Sequence, residues 1–218
     1  MLTEERLGEL VLLQSSEEFR LGRDALALAR FIGLKRHDRI CDLGCGVGSL
    51  LLALAERERT LVLDGVELRP TAAELCRENL RRNGLSGTVV TGDLCARHPE
   101  LPWGGYDVVV ANPPYFPPGA GKTAPDAARA LARTEGRYTL RTGCAAAVKL
   151  CRNGGKFALC LRPERLAELF AALAENGFAP KRMQLLQPAA EREANLALVE
   201  AVRGGKPGMR ILPVRIER

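Results

Sequence analysis

Between Arg39 and Glu58 the sequence passes from a short apolar strand, Arg39 to Leu43, through the glycines of Gly44-Cys45-Gly46-Val47-Gly48 into a helical run, Ser49 to Glu58. Glycines at alternate positions let the backbone turn tightly, leave N–H groups free at a helix start and admit a ligand closely. Strand, glycine turn and helix make the first unit of an open α/β sheet. A second unit follows: Leu61 to Glu67 reads as a strand, Pro70 opens a helix where its missing N–H costs little, and Asn83-Gly84 closes it. Further strands are expected at Thr88 to Thr91, Tyr106 to Ala111 and Lys156 to Leu161, with helices at Thr139 to Cys151 and Pro163 to Glu175. This alternation predicts a parallel sheet covered on both faces. Pro180 to Gln187 and Asn195 to Val202 leave no room for a crossover helix and predict an antiparallel C-terminal hairpin. The expected fold is α/β: a doubly wound, mostly parallel seven-stranded sheet, Rossmann-like, over residues 39–218. Residues 1–38 read as a helical lead-in, with helical periods through Glu5 to Leu13, capped by Thr3, and through Asp24 to Ile32. A length of 218 residues suits one domain, 1–218, and the proline- and glycine-rich stretch Phe116 to Asp126 reads as a mobile loop within it.

Composition narrows the function classes. Apolar residues make up 46% and charged residues 27%, as in ordinary soluble globular proteins. No apolar run approaches the ~18 residues that span a bilayer. Met1 to Leu13 is interrupted by Glu4, Glu5, Arg6 and Glu9, unlike a signal peptide. A cytoplasmic protein, with no membrane partner, is expected. Seven cysteines (Cys41, Cys45, Cys76, Cys95, Cys144, Cys151, Cys160) are scattered without a C-x-x-C pair, and read as reduced, mostly buried thiols. With His37 and His98 the only histidines, neither a metal site nor a Ser-His-Asp triad has material to work with, and no metal is expected. A net charge of +6 favours a polyanionic partner. A monomer is the expectation for the oligomeric state.

The glycine turn suits a nucleotide-type ligand, but its spacing is G-x-G-x-G, so the dinucleotide fingerprint is not met. Glu67 ends the second strand 19 residues past Gly48, where a carboxylate can accept both hydroxyls of a ribose; the alternative is a surface glutamate paired with Arg69. Asp93, after the third strand, is placed to accept from an adenine amine, although aspartate also simply favours such turns.

At the carboxyl end of the buried strand Tyr106 to Ala111 stands Asn112-Pro113-Pro114-Tyr115. Ligands of open α/β sheets bind at that end. The prolines fix φ and hold Asn112 out of the helical region, so the loop presents a rigid pair of acceptors. An amine on an sp² centre is a poor nucleophile because its lone pair is delocalised. The Asn112 side-chain oxygen and the Pro113 carbonyl can accept its two hydrogens, aim the nitrogen and stabilise the developing positive charge. Tyr115 can stack on the planar substrate and Phe116 can close the other side.

These residues, with Gln14, Phe19-Arg20-Leu21, Asp24, the run Asp42 to Gly48, Gly65-Val66-Glu67, Asn79, Asn83-Gly84 and Lys206-Pro207-Gly208-Met209, resemble the bacterial adenine-N6 methyltransferases of valine tRNA, within the class I S-adenosylmethionine-dependent methyltransferases. The resemblance runs from about Arg6 to about Pro213. It implies S-adenosyl-L-methionine as cofactor, bound by Gln14, Phe19, Arg20, Asp42, Gly44, Cys45, Gly46, Gly48, Glu67, Leu68, Asp93, Leu94 and Asn112, and a catalytic set of Asn112, Pro113, Pro114 and Tyr115. It implies tRNA as partner. Related sequences often read Arg-His-Glu where this chain has Arg133-Thr134-Glu135, so any contact made by that histidine is absent.

Alternatives are methylation of a protein glutamine amide, which the same two acceptors serve, or of DNA adenine. Both groups generally carry an extra domain, and only 43 residues precede Gly44. A nicotinamide-dependent oxidoreductase would need G-x-G-x-x-G and has no use for Asn112 to Tyr115; a non-catalytic RNA-binding module would keep the fold alone. Gly121-Lys122-Thr123 ends like a phosphate-binding loop but lacks its first glycine. Arg129, Arg133, Arg137 and Arg141 recur every four residues and read equally as tRNA phosphate contacts or as solvated surface, with Gly136 against one continuous helix.

Overall fold

The computed structural model describes residues 2–15, 22–113 and 139–217. In chain order these form β1 (Leu2–Leu7), β2 (Leu10–Ser15), α1 (Arg23–Phe31), β3 (Arg39–Leu43), α2 (Ser49–Arg57), β4 (Val62–Glu67), α3 (Pro70–Arg82), β5 (Val89–Thr91) and β6 (Tyr106–Ala111). After residue 138 come α4 (Leu140–Leu150), β7 (Cys151–Leu161), a 3₁₀ turn at Pro163–Arg165 leading into α5 (Leu166–Glu175), β8 (Phe178–Gln187), β9 (Leu196–Arg203), β10 (Arg210–Ile211) and β11 (Arg215–Ile216).

Strands β5, β4, β3, β6 and β7 lie side by side and parallel. β9 inserts antiparallel between β7 and β8, so the chain closes the sheet with the expected antiparallel pair. Side chains alternate across a strand, and two apolar clusters line the two faces. Ile40, Leu63, Val108 and Val110 face α1, α2 and α3. Cys41, Leu43, Val66, Val109 and Phe157 face α4 and α5. This is the doubly wound class. Among the described residues the sheet has nine strands rather than seven, because the tail beyond Gly205 pairs twice along the outer edge of β8, as β10 and β11. Those strands are two residues each, interrupted by Pro213, and carry no alternation a sequence reading can detect.

The lead-in departs more clearly. Glu5 to Leu13 is not a helix but most of a hairpin, with Leu7 paired to Leu10 across Gly8-Glu9. Gly8 sits at φ +59°, the left-handed geometry that two-residue hairpin turns require. Leu10, Leu12 and Leu13 bury against the core, and apolar residues at positions 7, 10, 11, 12 and 13 satisfy a helical period as well as a strand. Tertiary contacts decide between them. Asn79 and Asn83, one turn apart on α3, read the backbone of β2 as a neighbouring strand would. Leu13 N–H donates to Asn79 Oδ1 at 2.7 Å and Asn79 Nδ2 donates back to Leu13 O at 2.9 Å. Val11 and Asn83 repeat the exchange at 2.9 and 2.8 Å.

α1 forms where expected, and its carboxyl end is held by cations. Arg57 donates to Ala29 O and to Ile32 O, Lys156 to Gly33 O, and Arg182 to Phe31 O while lying over the Phe31 ring. Unpaired helix carbonyls and the negative end of the helix dipole both favour positive charge there. Glu200 balances Arg182 and Lys156 from β9, at 3.2 and 3.9 Å. Among the described residues no helix is long and apolar enough to cross a membrane.

Candidate active site

The site lies at the carboxyl ends of β3, β4 and β6. Gly44, Gly46 and Gly48 all take positive φ (+82°, +55° and +86°), so each position strains any residue with a Cβ. A Cβ at Gly48 would also come within 2.8 Å of Cys76 Sγ on α3, whereas at Gly44 or Gly46 it would meet nothing within 4 Å. The turn is thus packed on its α3 side and open over its first two glycines.

The glycine amides are not free, contrary to the sequence expectation. Gly44 and Cys45 N–H both donate to Val66 O, Gly48 N–H to Cys45 O and Gly46 N–H to Glu67 Oε2 at 2.9 Å. The unclaimed donors lie one step on, in the first turn of α2, where Gly48 supplies no side-chain cap. Asn79 reaches this turn as well, its Nδ2 donating to Val47 O at 2.8 Å, so one buried carboxamide links the hairpin, α3 and the glycine loop.

Glu67 is buried rather than a surface residue. It does pair with Arg69, whose backbone N–H and Nε both donate to Oε1 at 2.9 and 3.1 Å. With the bond from Gly46 it accepts three of the roughly four bonds a carboxylate can take. Leu68 follows it, half-buried. Asp42 lies on the same face of the sheet. Its Oδ1 is buried and finds no hydrogen-bond donor among the described residues. Burial first, and the neighbouring Glu67 carboxylate second, push the Asp42 carboxyl up to about 8. A buried carboxylate with no donor favours a cationic or hydrogen-bonding group brought from outside.

Asp93 Oδ1 accepts from Cys95 N–H at 2.9 Å, so part of the carboxylate shapes its own turn. Leu94 packs against the second core cluster. Gln14 is buried at the end of β2 and donates to Glu5 Oε2 at 2.6 Å. The pairing of Asp42 with Val110, continued two residues, brings Asn112 level with Gly44. Asn112 is half-buried and Pro113 buried. Asn112 Oδ1 accepts from the thiol of Cys160 at 2.9 Å. Cys160 was missed as a site residue, although it is the partner that the pairing of Ala111 with Leu159 gives Asn112 one step on.

The structure therefore brings together Asp42, the glycine turn, Glu67, Asn112 and Pro113. Phe19, Arg20, Pro114 and Tyr115 lie outside the described residues, as do the stretch Phe116 to Asp126, Gly121 to Thr123, Arg129, Arg133 and Arg137. Arg141, the last of its series, pairs with Glu175 at 2.7 Å. Among the described residues no three metal-ligating side chains come together.

This sheet order, with an open glycine turn between two buried carboxylates and an Asn-Pro pair on the adjacent strand end, defines a class I S-adenosylmethionine-dependent methyltransferase. The family model of the methyltransferase small domain matches residues 20–154. The chain is 32% identical over 181 residues to the tRNA1(Val) (adenine(37)-N6)-methyltransferase of Tolumonas auensis, a match covering 83% of this chain and 75% of that one. It is 33% identical over 161 residues to the Yersinia pseudotuberculosis protein of the same name, covering 71% of this chain and 61% of that one. Among solved structures, a predicted O-methyltransferase from Agrobacterium tumefaciens superposes with a TM-score of 0.69 at 25% identity, covering 88% of this chain and 86% of that one. The chain belongs to the methyltransferase small domain family and, within it, to the family of the tRNA1(Val) adenine-N6 methyltransferases.

Proposed function

We propose that this enzyme methylates the exocyclic amine of an adenine in tRNA, in the cytoplasm. The observation that carries the reading is the alignment of Asn112 and Pro113 with the open glycine turn across the β3–β6 pair. S-adenosyl-L-methionine supplies an electrophilic methyl group on a sulfonium. The residues suit that cofactor: open space over Gly44 and Gly46 admits it, and the donor-less Asp42 Oδ1 offers a buried counter-charge.

In this reading Gly44, Cys45, Gly46 and Gly48 shape the cradle, with Asp42 beneath the cationic end. Glu67 accepts from the ribose hydroxyls, which calls for its spare acceptor site or for release of Arg69 or Gly46. Leu68, Asp93 and Leu94 border the adenine, and Gln14, Phe19 and Arg20 cover the cofactor from the lead-in. Asn112 Oδ1 accepts from Cys160 and, as a carbonyl oxygen, would accept from the target amine as well. The Pro113 carbonyl takes the other amine proton. Two acceptors hold the nitrogen pyramidal enough to attack and share the positive charge that develops on it. Pro114 stiffens this loop, and Tyr115 stacks on the base. No residue is required as a strong base, because the product cation loses its proton readily to water. The names of the relatives and the net charge of +6 support an RNA substrate.

The test is transfer of labelled methyl to unmodified tRNA, with nucleoside mass spectrometry of the product. N6-methyladenosine is expected, and Asn112→Ala should lower the rate by two or more orders of magnitude with cofactor affinity nearly kept. Methylation of a glutamine peptide in place of tRNA would replace this reading with the protein-amide one.

A further inference from the structure

The connection from β5 to β6 carries a surface that the methyl-transfer site does not use. Leu101-Pro102-Trp103-Gly104-Gly105 makes a tight turn, with Gly104 at φ +67° and its N–H donating to Lys149 O at the end of α4. The turn holds Trp103 at its tip, 46% exposed, one of only five large apolar side chains exposed among the described residues. Beneath it the ring borders a small apolar recess with Val66, Leu94, Leu101, Ala146 and Leu150. Two cations lie over the ring: the Arg97 guanidinium 5.2 Å and the Lys149 ammonium 5.5 Å from its centre. Both are exposed, and neither makes an ion pair among the described residues.

Several other exposed arginines are matched to carboxylates, among them Arg77, Arg81, Arg82, Arg152 and Arg165, whereas Arg97 and Lys149 stack on the indole instead. Two cations that share an exposed indole, with no ion-pair partner among the described residues, make a positive patch with a flat apolar centre. Phosphates match the first property and bases the second, since a base stacks on an indole or on a guanidinium held against one. A protein surface complementary to the charges alone would leave the exposed ring without a partner.

We propose that Arg97, Trp103 and Lys149 form a contact surface for RNA, taking phosphates on the two cations and one base against the Trp103–Arg97 platform. The proposal rests on the reading of the enzyme as acting on tRNA. A folded RNA extends well beyond the one base at Asn112, so contacts on the flank of the sheet orient it. The connection that carries the patch ends at the amino end of β6, beside the start of β7, so RNA seated at Trp103 is held at a distance from the base at Asn112.

Trp103 is the only tryptophan in the chain, and its fluorescence reports on this surface alone. The full-length protein, saturated with S-adenosylhomocysteine, is titrated with unmodified tRNA while Trp103 emission and the anisotropy of end-labelled tRNA are read together. Quenching that saturates with the anisotropy is expected. The Arg97→Ala/Lys149→Ala double variant should lower the slope of log affinity against log salt by about 0.7–0.9 for each cation removed, with cofactor affinity unchanged. Trp103→Ala should weaken tRNA binding on the order of tenfold, and Trp103→Tyr should recover most of it, which a merely destabilised fold would not do. If tRNA binds but Trp103 emission and the double variant's salt slope stay as they were, the patch is refuted and the function stands. If the wild type binds no tRNA at all, the reading of the function fails and takes the patch with it.

Discussion

Two buried aspartates, one step apart on neighbouring central strands, show what separates the supporting part of this molecule from the working part. Asp64 on β4 pairs in register with Cys41, and Asp42 on β3 with Gly65. By alternation they point to opposite faces of the sheet. Asp64 accepts four bonds: from Arg39 Nε and Nη2 at 3.0 and 2.8 Å, from Thr88 N–H at 2.7 Å and from the Tyr106 hydroxyl at 2.8 Å. Its donors come from β3, from β6 and from the residue before β5, so one carboxylate fastens four strands, and Arg39 also lies over the Tyr106 ring. Asp42, equally buried, has an oxygen with no donor among the described residues and a carboxyl pushed up to about 8. A complete polar network stabilises and fixes geometry, while an incomplete one costs stability unless a ligand finishes it. The same residue type is structural on one face and unfinished on the other.

The sharpest way to break this comparison is to make the same substitution at both sites. Asp64→Asn puts an amide against the donors of Arg39, Tyr106 and Thr88, and should lower the urea unfolding free energy by about 3 kcal/mol. Asp42→Asn removes a charge that burial disfavours. In the cofactor-free protein at pH 8 it should leave stability unchanged or raise it, while weakening S-adenosylmethionine binding. Equal destabilisation by the two variants would dissolve the distinction.

A pH titration sharpens it further. The folded carboxyl of Asp42 titrates above its unfolded value near 4, so its stabilising contribution is complete below about pH 4 and is lost as pH rises towards about 8. Over that window the cofactor-free wild type should lose up to about 1.4 kcal/mol per pH unit relative to Asp42→Asn. A cation placed beside Asp42 favours the ionised form, so cofactor binding at pH 7 should release nearly one proton. Calorimetry in buffers of different ionisation enthalpy reads that number directly. No proton release by the wild type, or equal release by Asp42→Asn, would assign the linkage elsewhere.

The contrast also marks what the one-dimensional chain discloses. The β3–glycine turn–α2 unit, the strand ending at Glu67 and the strand ending at Ala111 were legible because apolar runs and glycine or proline punctuation are local signals. The hairpin at Leu2–Ser15 was not, because its apolar positions fit either period and the deciding bonds come from Asn79 and Asn83, 66 and 72 residues away. An Asn pair at helical spacing was the available clue. That the glycine amides are all claimed was illegible too: Val66 and Glu67 take those of Gly44 and Gly46 from the neighbouring strand, and no local pattern records that. Asp42 and Asp64 look alike in sequence, each flanked by apolar residues, and only their registered neighbours tell them apart.

The smallest expected effect lies at the boundary between the two regions. Cys160 is fully buried in β7 and belongs by packing to the supporting core, yet its thiol donates to Asn112 Oδ1. That bond distinguishes the oxygen end of the carboxamide from its nitrogen end and holds the oxygen in place. Cys160→Val keeps an apolar side chain, larger by roughly one methylene, and removes the donor. A net hydrogen bond of about 1 kcal/mol corresponds to roughly a fivefold loss in kcat if Asn112 is left free to rotate. Cofactor affinity should hold, because Cys160 touches the acceptor rather than the cradle. Cys160→Ser restores a donor and should recover much of the rate, although a hydroxyl in an apolar setting costs some stability. A purely packing role for Cys160 predicts the reverse order, with Val close to wild type in rate and Ser impaired.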